Sequence, residues 1–263
     1  MTTTDRRALL QASGLQKRFT AGTDAIHAVD GVSIDLIAGE TVAIMGASGS
    51  GKTTLLHLLG GLLRPDSGIL RFAGADLATL SDAALTSLRC ERMGIVYQSS
   101  NLIPTLSALD NVALPMLLNG SSRTTARAAA HERLREVGLG ARALHRPGQM
   151  SGGEQQRVAI ARALIAKPEL VLADEPTGSL DRQNSLDVCQ LLHQVAADRS
   201  RSVVIVTHDP AVALLADRIL VLSDGKLVSE ISRADVATAE EVAIYCMRVA
   251  RRNQVFAPSS PGI

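Results

Sequence analysis

Short runs of consecutive apolar residues recur along the chain and alternate with stretches of helical periodicity. Such runs are typical of strands buried on both faces of a parallel sheet. Four of them are TVAIM at 41–45, LVLA at 170–173, VVIVT at 203–207 and ILVLS at 219–223. Residues 29–37 instead alternate apolar and polar positions, which predicts a half-buried strand. Because leucines and valines at helical spacing lie between the runs, we expect an α/β fold with a parallel core sheet.

The middle of the chain has a different pattern, since no buried strand run occurs from about residue 99 to residue 166. Residues 123–137 are rich in Ala, Arg and Glu and predict a surface helix. Residues 151–166 predict a second helix, which Pro168 closes. We therefore expect a helical insertion at about 99–166 inside one domain that spans residues 1–230.

The pattern weakens after residue 230. Within 231–263, residues 239–252 predict a C-terminal helix, and we expect the end from Gln254 to be disordered. No window of about 18 apolar residues occurs, so no membrane span is expected. The first residues lack the apolar core of a secretory signal.

Composition and charge exclude several classes of function. Lys and Arg number 27 and Asp and Glu 26, so the net charge of +1 provides no basic footprint for nucleic acid. Aromatic residues make up 2%, too few for a platform on which single strands stack. The three cysteines are far apart and odd in number, which argues against a disulfide framework and against a zinc site.

A glycine-rich turn, GASGSGKT, follows the first buried run and precedes the leucine-rich helix. It fits the pattern GxxxxGK[ST], in which backbone N–H groups and a helix N-terminus surround phosphate. We expect Lys52 to reach the β- and γ-phosphates and Thr53 to offer its hydroxyl to Mg²⁺. The residues predicted to bind nucleotide here are Gly46, Ala47, Ser48, Gly49, Ser50, Gly51, Lys52, Thr53 and Thr54.

Two further motifs carry chemistry. The run LVLADE ends in Asp174 and Glu175, so the first carboxylate is expected to hold Mg²⁺ and the second to deprotonate the attacking water. The sequence Ser151-Gly-Gly-Glu154 opens the second helix of the insertion as a capping box. Consecutive glycines in a first helical turn cost stability, about 1 kcal/mol each, but leave bare N–H groups that suit an incoming phosphate.

Taken together, these motifs resemble those of the ATP-binding subunit of an ABC transporter along nearly the whole chain. The loop resembles the Walker A motif, LVLADE the Walker B motif and MSGGEQQRVAIARAL the family signature. Gln98 matches the Q-loop, Asp181 in SLD the D-loop and His208 the switch histidine. In departures from the usual pattern, Met150 replaces Leu, Glu154 replaces Gln, and the adenine-stacking position holds Phe19 where Tyr is commoner.

The resemblance implies a P-loop NTPase (RecA-like) core with an antiparallel β lobe and an inserted α-helical lobe. It implies ATP and Mg²⁺ as cofactors, with Glu175, His208 and Gln98 in catalysis and Thr53, Gln98 and Asp174 at the metal. Two copies face head to tail in the family. One copy therefore contributes the Walker residues of a site, and the other contributes Ser151, Gly152, Gly153 and Asp181.

The partners implied are a second ATPase copy and an integral membrane permease, which would hold this subunit at the cytoplasmic face of the cell membrane. The stretch at 101–106, just after Gln98, is apolar for a connection and is expected to receive the permease. The early ADEPTGSLD and the stretch RMGIVYQSSNLIPTLSALDNVALP resemble the macrolide-exporter and lipoprotein-releasing subfamily. The predicted function is ATP hydrolysis that powers transport or extrusion.

Three alternatives come from other classes. A chromosome-maintenance ATPase would carry a long coiled coil between the Walker motifs, but Lys52 and Asp174 are only 122 positions apart and no sustained heptads lie between them. A translation-associated ATPase would need two cassettes, and this chain has one. An ATPase that signals across the membrane to cell-wall enzymes would have the same ATPase domain and differ only in its membrane partner, so this alternative stays open.

Overall fold

The computed structural model describes residues 8–21 and 24–256, in which strands and helices alternate as the hydrophobic pattern predicts. The strands are β1 (Ala8–Ala21), β2 (Asp24–Ile37), β3 (Thr41–Met45), β4 (Ser67–Phe72), β5 (Ala75–Asp76), β6 (Met93–Val96), β7 (Leu170–Asp174), β8 (Ser202–Val206), β9 (Arg218–Ser223) and β10 (Lys226–Ser232). The helices are α1 (Lys52–Leu59), α2 (Asp82–Arg92), α3 (Ala108–Leu118), α4 (Arg123–Glu136), α5 (Gly152–Leu164), α6 (Arg182–Ala197), α7 (Pro210–Ala213) and α8 (Ala239–Phe256).

A six-stranded sheet in the order β10-β9-β3-β8-β7-β6 forms the centre of the molecule. Strands β6 to β9 and β3 run parallel, and β10 adds an antiparallel edge. Each residue of β3, β7 and β8 is buried, as expected for strands covered by helices on both faces. The predicted α/β fold with a parallel core sheet is confirmed.

A separate antiparallel sheet in the order β2-β1-β4-β5 forms the predicted β lobe. Val32, Ile34 and Leu36 of β2 are buried while Ser33 and Asp35 are exposed, so the predicted alternation is confirmed. The buried side chains join the leucines of α1 in one hydrophobic core. This packing fixes the start of β2 beside the N-terminus of α1, where the glycine-rich turn lies.

Helices α3, α4 and α5 pack around a second core, which contains Val112, Ala130, Leu134 and Val158. Both helices predicted in this part of the chain form, as α4 and α5. The connection before α3 is pinned by the fully buried Asn111. Its Oδ1 accepts from the backbone N–H of Ile103 at 2.8 Å, and its Nδ2 donates to the Ile103 carbonyl at 3.1 Å.

Helix α8 packs on α7 and β9 through Val242, which is fully buried, and Cys246. The helix continues through Phe256, so the expectation of disorder from Gln254 is wrong for residues 254–256. Residues 239–257 contain neither proline nor glycine, so no helix-breaking residue ends α8 before Pro258. Residues 257–263 of the expected disordered tail lie outside the described residues. None of the helices in the described part is both long and apolar enough to cross a membrane.

Candidate functional site

The glycine-rich turn, residues 46–53, joins the end of β3 to the start of α1 and is called the phosphate loop below. The conformation of this loop depends on glycines whose Cα atoms pack closely against the backbone of neighbouring segments. Gly51 is the N-cap of α1 with a φ of 99°, and a Cβ there would lie 1.9 Å from the carbonyl oxygen of Ala28. At Gly46 a Cβ would lie 2.2 Å from the carbonyl oxygen of Leu222. Only glycine fits these two positions without displacing the backbone.

Lys52 is the first residue of α1 and is buried. Its Nζ donates to the carbonyl oxygens of Gly46 at 3.0 Å and Ala47 at 2.9 Å, so the ammonium group is held under the loop. Burial lowers the pKa of Lys52 from its usual value, and the nearby carboxylates Glu175 and Asp174 counteract part of this shift. A buried ammonium group with these contacts is well placed to attract a phosphate.

The loop and the end of β7 fit a magnesium nucleotide. Thr53 Oγ1 donates to Asp174 Oδ1 at 3.0 Å, which brings together a hydroxyl and a carboxylate, the oxygen ligands that Mg²⁺ prefers. Ser50 Oγ is buried and has no hydrogen-bond partner within the described residues. A buried hydroxyl without a partner costs free energy, and a phosphate oxygen or a water would satisfy it.

Glu175 follows Asp174 and adopts a φ of 44°, an unusual backbone conformation for a side chain with a Cβ. Its Oε2 accepts from the backbone N–H of His208 at 3.3 Å and lies 2.7 Å from His208 Nδ1. Only 12% of the Glu175 side chain is exposed, whereas 66% of the His208 side chain is exposed. The strained turn therefore fixes a shielded carboxylate next to an imidazole at the edge of the core sheet.

These elements enclose a cleft of about 760 Å³. The predicted site residues that line it are Gly46, Ala47, Ser48, Gly49, Gly51, Lys52, Thr53, Thr54, Gln98, Glu175 and His208. The cleft is also lined by residues that sequence reasoning missed, namely Ile26, His27, Ala28, Asp224 and Gly225. Gly225 shows why they matter, because its N–H donates to the carbonyl oxygen of Ser50 at 3.0 Å and braces the phosphate loop.

Gln98 reaches the cleft from the connection that follows β6. The Oγ of Ser179 donates to the carbonyl oxygen of Gln98 at 3.1 Å. The Nε2 of Gln98 lies 3.2 Å from the position that a Cβ on Gly178 would occupy. The segment after Glu175 therefore packs directly on the Q-loop. This contact links the segment after Glu175 to the connection that leads into the helical insertion of the same chain.

The remaining predicted site residues do not line the described cleft. Phe19 is 42% exposed on β1 and pairs with Ile26 of β2, so the two side chains share one face of the hairpin. Ile26 lines the cleft, which places Phe19 beside its rim. Ser151, Gly152, Gly153 and Asp181 instead lie together at the first turns of α5 and α6. The Ser151–Glu154 capping box forms there, at 2.8 and 3.2 Å.

Comparisons with known proteins agree with this geometry. A family model described as ABC transporter matches residues 29–178. The lipoprotein-releasing system ATP-binding protein LolD of Chromohalobacter salexigens is 48% identical over 219 residues, which cover 83% of this chain and 92% of that protein. LolD of Bordetella avium is 49% identical over 228 residues, which cover 87% of this chain and 99% of that protein.

Solved structures with the same fold include the ATP-binding cassette MJ0796, determined as a dimer in a post-hydrolysis state bound to ADP and Pi. It is 39% identical, with a TM-score of 0.80, and the match covers 85% of this chain and 98% of that one. CbiO1 of Clostridium perfringens, part of the ABC transporter complex cbiONQ, is 26% identical with a TM-score of 0.76 and covers 94% of this chain. The predicted family is therefore confirmed: the chain belongs to the ABC transporter family, as an ATP-hydrolysing subunit.

Proposed function

We propose that this chain powers the release of lipid-modified proteins from a membrane, through a separate permease that holds it at the cytoplasmic face. The observation that carries the proposal is the near-complete coverage of relatives named for lipoprotein release, at 48–49% identity. Because the named relatives are ATP-binding components of a system, the substrate contacts belong to the permease.

The working unit in this proposal is a pair of chains arranged head to tail. Support comes from the separation of the predicted site into two groups within one chain. Lys52, Thr53 and Glu175 belong to the cleft, while Ser151 and Asp181 lie outside its lining. A second copy that presents its own Ser151 and Asp181 to this cleft would complete the site, and the solved relative MJ0796 is dimeric.

Within each site, the chain's own residues bind, position and accept a proton. Lys52 and the backbone N–H groups of the phosphate loop hold the phosphates, and Thr53 with Asp174 holds Mg²⁺. Glu175 accepts the proton of the attacking water, and its contact with His208 keeps the carboxylate aimed. Bound Mg²⁺ supplies positive charge that neutralises the phosphate oxygens. Most of the rate gain then comes from positioning and charge stabilisation.

The test is reconstitution in vesicles. The chain is co-purified with a co-expressed candidate permease, placed in proteoliposomes that contain a radiolabelled lipoprotein, and supplied with ATP and Mg²⁺. We expect lipoprotein to leave the vesicles in step with ATP hydrolysis. The control complex carries Lys52→Ala, which removes the buried ammonium group and should abolish both release and hydrolysis.

The outcome separates this proposal from the signalling alternative. If the complex hydrolyses ATP but releases no lipoprotein, the substrate class is wrong. Activation of an added cell-wall hydrolase in the same vesicles would then favour signalling. Release that continues with the Lys52→Ala complex would show that this chain does not power the process.

A further inference from the structure

Asn184, three residues into α6, holds both oxygens of the Asp181 carboxylate. Its backbone N–H donates to Asp181 Oδ1 at 3.0 Å, the usual bond between an N-cap and the third residue of a helix. Its side-chain Nδ2 donates to the other oxygen, Oδ2, at 2.6 Å. These bonds, with smaller contributions from nearby groups, lower the pKa of Asp181 from its usual value. Each of the two carboxylate oxygens thus accepts a hydrogen bond from Asn184.

The same asparagine side chain lies directly against Gly153 in the first turn of α5. A Cβ placed on Gly153 would lie 2.1 Å from Asn184 Oδ1, 2.5 Å from its Cγ and 2.7 Å from its Cβ. No side chain other than hydrogen fits there while Asn184 keeps its place. One side chain therefore contacts both the signature helix and the D-loop aspartate.

Other contacts hold the two helix starts together. Leu180 Cδ2 lies 3.5 Å from the place of a Cβ on Gly152. One turn further along, Arg157 of α5 and Asp187 of α6 form an ion pair at 3.6 Å. These contacts make the beginnings of α5 and α6 one packed unit, with Asn184 at its outer end.

We infer that Asn184 is a positioning residue that fixes Asp181 relative to Gly153, so that both reach the nucleotide of the second copy as one unit. The inference rests on the proposed head-to-tail pair, in which these residues act on the partner's site. It predicts that Asn184 acts across the dimer, although it belongs to neither the phosphate loop nor the carboxylate pair.

Two substitutions probe the two contacts. Asn184→Ala removes the Nδ2 donor and the atoms that touch Gly153, and we expect kcat to fall about tenfold. ATP affinity of the single chain should stay unchanged, because Asn184 does not line the described cleft. Asn184→Asp keeps the side-chain size but places a second carboxylate against Asp181, so kcat should fall further. The control Gln183→Ala changes the exposed neighbouring side chain and should leave kcat unchanged.

The decisive experiment combines Asn184→Ala and Glu175→Gln in two kinds of mixed dimer, which differ in the chain that carries Asn184→Ala. A limiting test chain is mixed with a large excess of a chain carrying Glu175→Gln, so almost every test chain pairs with an excess chain. The first turnover of ADP formation per test chain then reports the site that contains the test chain's own Glu175. In the first mixture the test chain carries Asn184→Ala. In the second, the test chain is wild type and the excess chain carries Asn184→Ala in addition.

We expect the first mixture to match a wild-type test chain with the same excess partner, and the second to be about tenfold slower. If the first mixture were the slower one and the second matched the wild-type rate, Asn184 would act within its own chain. Equal rates in the two mixtures would show no action across the dimer. Either result overturns the inference.

A parallel pair of mixtures with Ser151→Arg in place of Asn184→Ala tests the two-copy site itself. If the Ser151 mixtures also fail to show action across the dimer, the head-to-tail pair is wrong and the inference falls with it. If the Ser151 mixtures behave as expected and the Asn184 mixtures do not, only the inference about Asn184 is wrong.

Discussion

Replacing Glu175 by Gln should separate ATP binding from hydrolysis. Glutamine has the same volume and is unbranched at Cβ, so it adds no strain at the φ of 44°. Its carbonyl oxygen can still accept the backbone N–H of His208, which the carboxylate accepts at 3.3 Å. Exchanging a charged acceptor for a neutral one costs about 1 kcal/mol of stability at this partly shielded site.

The effect on the reaction should be much larger, because an amide cannot take the proton of the attacking water. Loss of a positioned general base lowers kcat by about 10²–10⁴, which corresponds to about 3–5 kcal/mol of activation free energy. ATP affinity should change little, since Lys52, Thr53 and Asp174 keep their contacts. The variant should therefore accumulate as an ATP-bound dimer.

The assay measures ADP formation, ATP affinity at equilibrium and elution on size exclusion with and without ATP. The matched control is Glu230→Gln on the edge strand β10, which removes the charge of an exposed carboxylate that lies 3.1 Å from Arg218. Turnover near the wild-type rate in Glu175→Gln would refute the assignment of the base. An equal loss in Glu230→Gln would trace the effect to stability instead.

Three further outcomes are expected. Phe19→Ala should weaken ATP binding about tenfold, measured by titration, because an aromatic stack contributes about 0.5–1.5 kcal/mol beyond burial; unchanged affinity would assign Phe19 a structural role. Gly51→Ala should lower the free energy of unfolding in urea by about 3 kcal/mol, because its Cβ would meet Ala28 at 1.9 Å, whereas Gly148→Ala, with open space around it, should not. Ile103→Asp, on a side chain 39% exposed, should reduce co-purification with the permease; full recovery of the complex would exclude this docking surface.

Sequence reasoning recovers the strands buried on both faces, because an unbroken apolar run leaves few alternatives, and it recovers the half-buried part of β2 from its alternation of apolar and polar residues. Strand β6 is missed because it has four residues and contains a glycine. That glycine, Gly94, is required since a Cβ would lie 2.2 Å from the carbonyl oxygen of Ala163. Strand β1 is missed because register shifts, such as the one between Ala12 and Leu15, break its period of two.

The residues of the candidate site also divide into those that the sequence identifies and those that it does not. The phosphate loop and the carboxylate pair are contiguous motifs, so the sequence identifies them directly. Ala28 and Gly225 contribute backbone groups, a carbonyl oxygen against Gly51 and an N–H to Ser50, and any residue type has such groups. Asn184 shows a third case, in which a side chain matters only because two distant helix starts meet. Neither kind of contribution leaves a signal in the sequence.

The strand order of the core sheet also determines when this chain can fold during synthesis. Strand β3, which carries the phosphate loop, pairs only with β8 and β9 among the described strands. Its first partner begins at Ser202, so nearly 160 residues must be synthesised after β3 is complete. At about 5–20 residues per second, the nascent chain waits roughly 8–30 s with an apolar strand unpaired. The β lobe and the helical insertion close within shorter segments, so the nucleotide-binding strand should wait longer for its partners during synthesis than the strands and helices of those two parts.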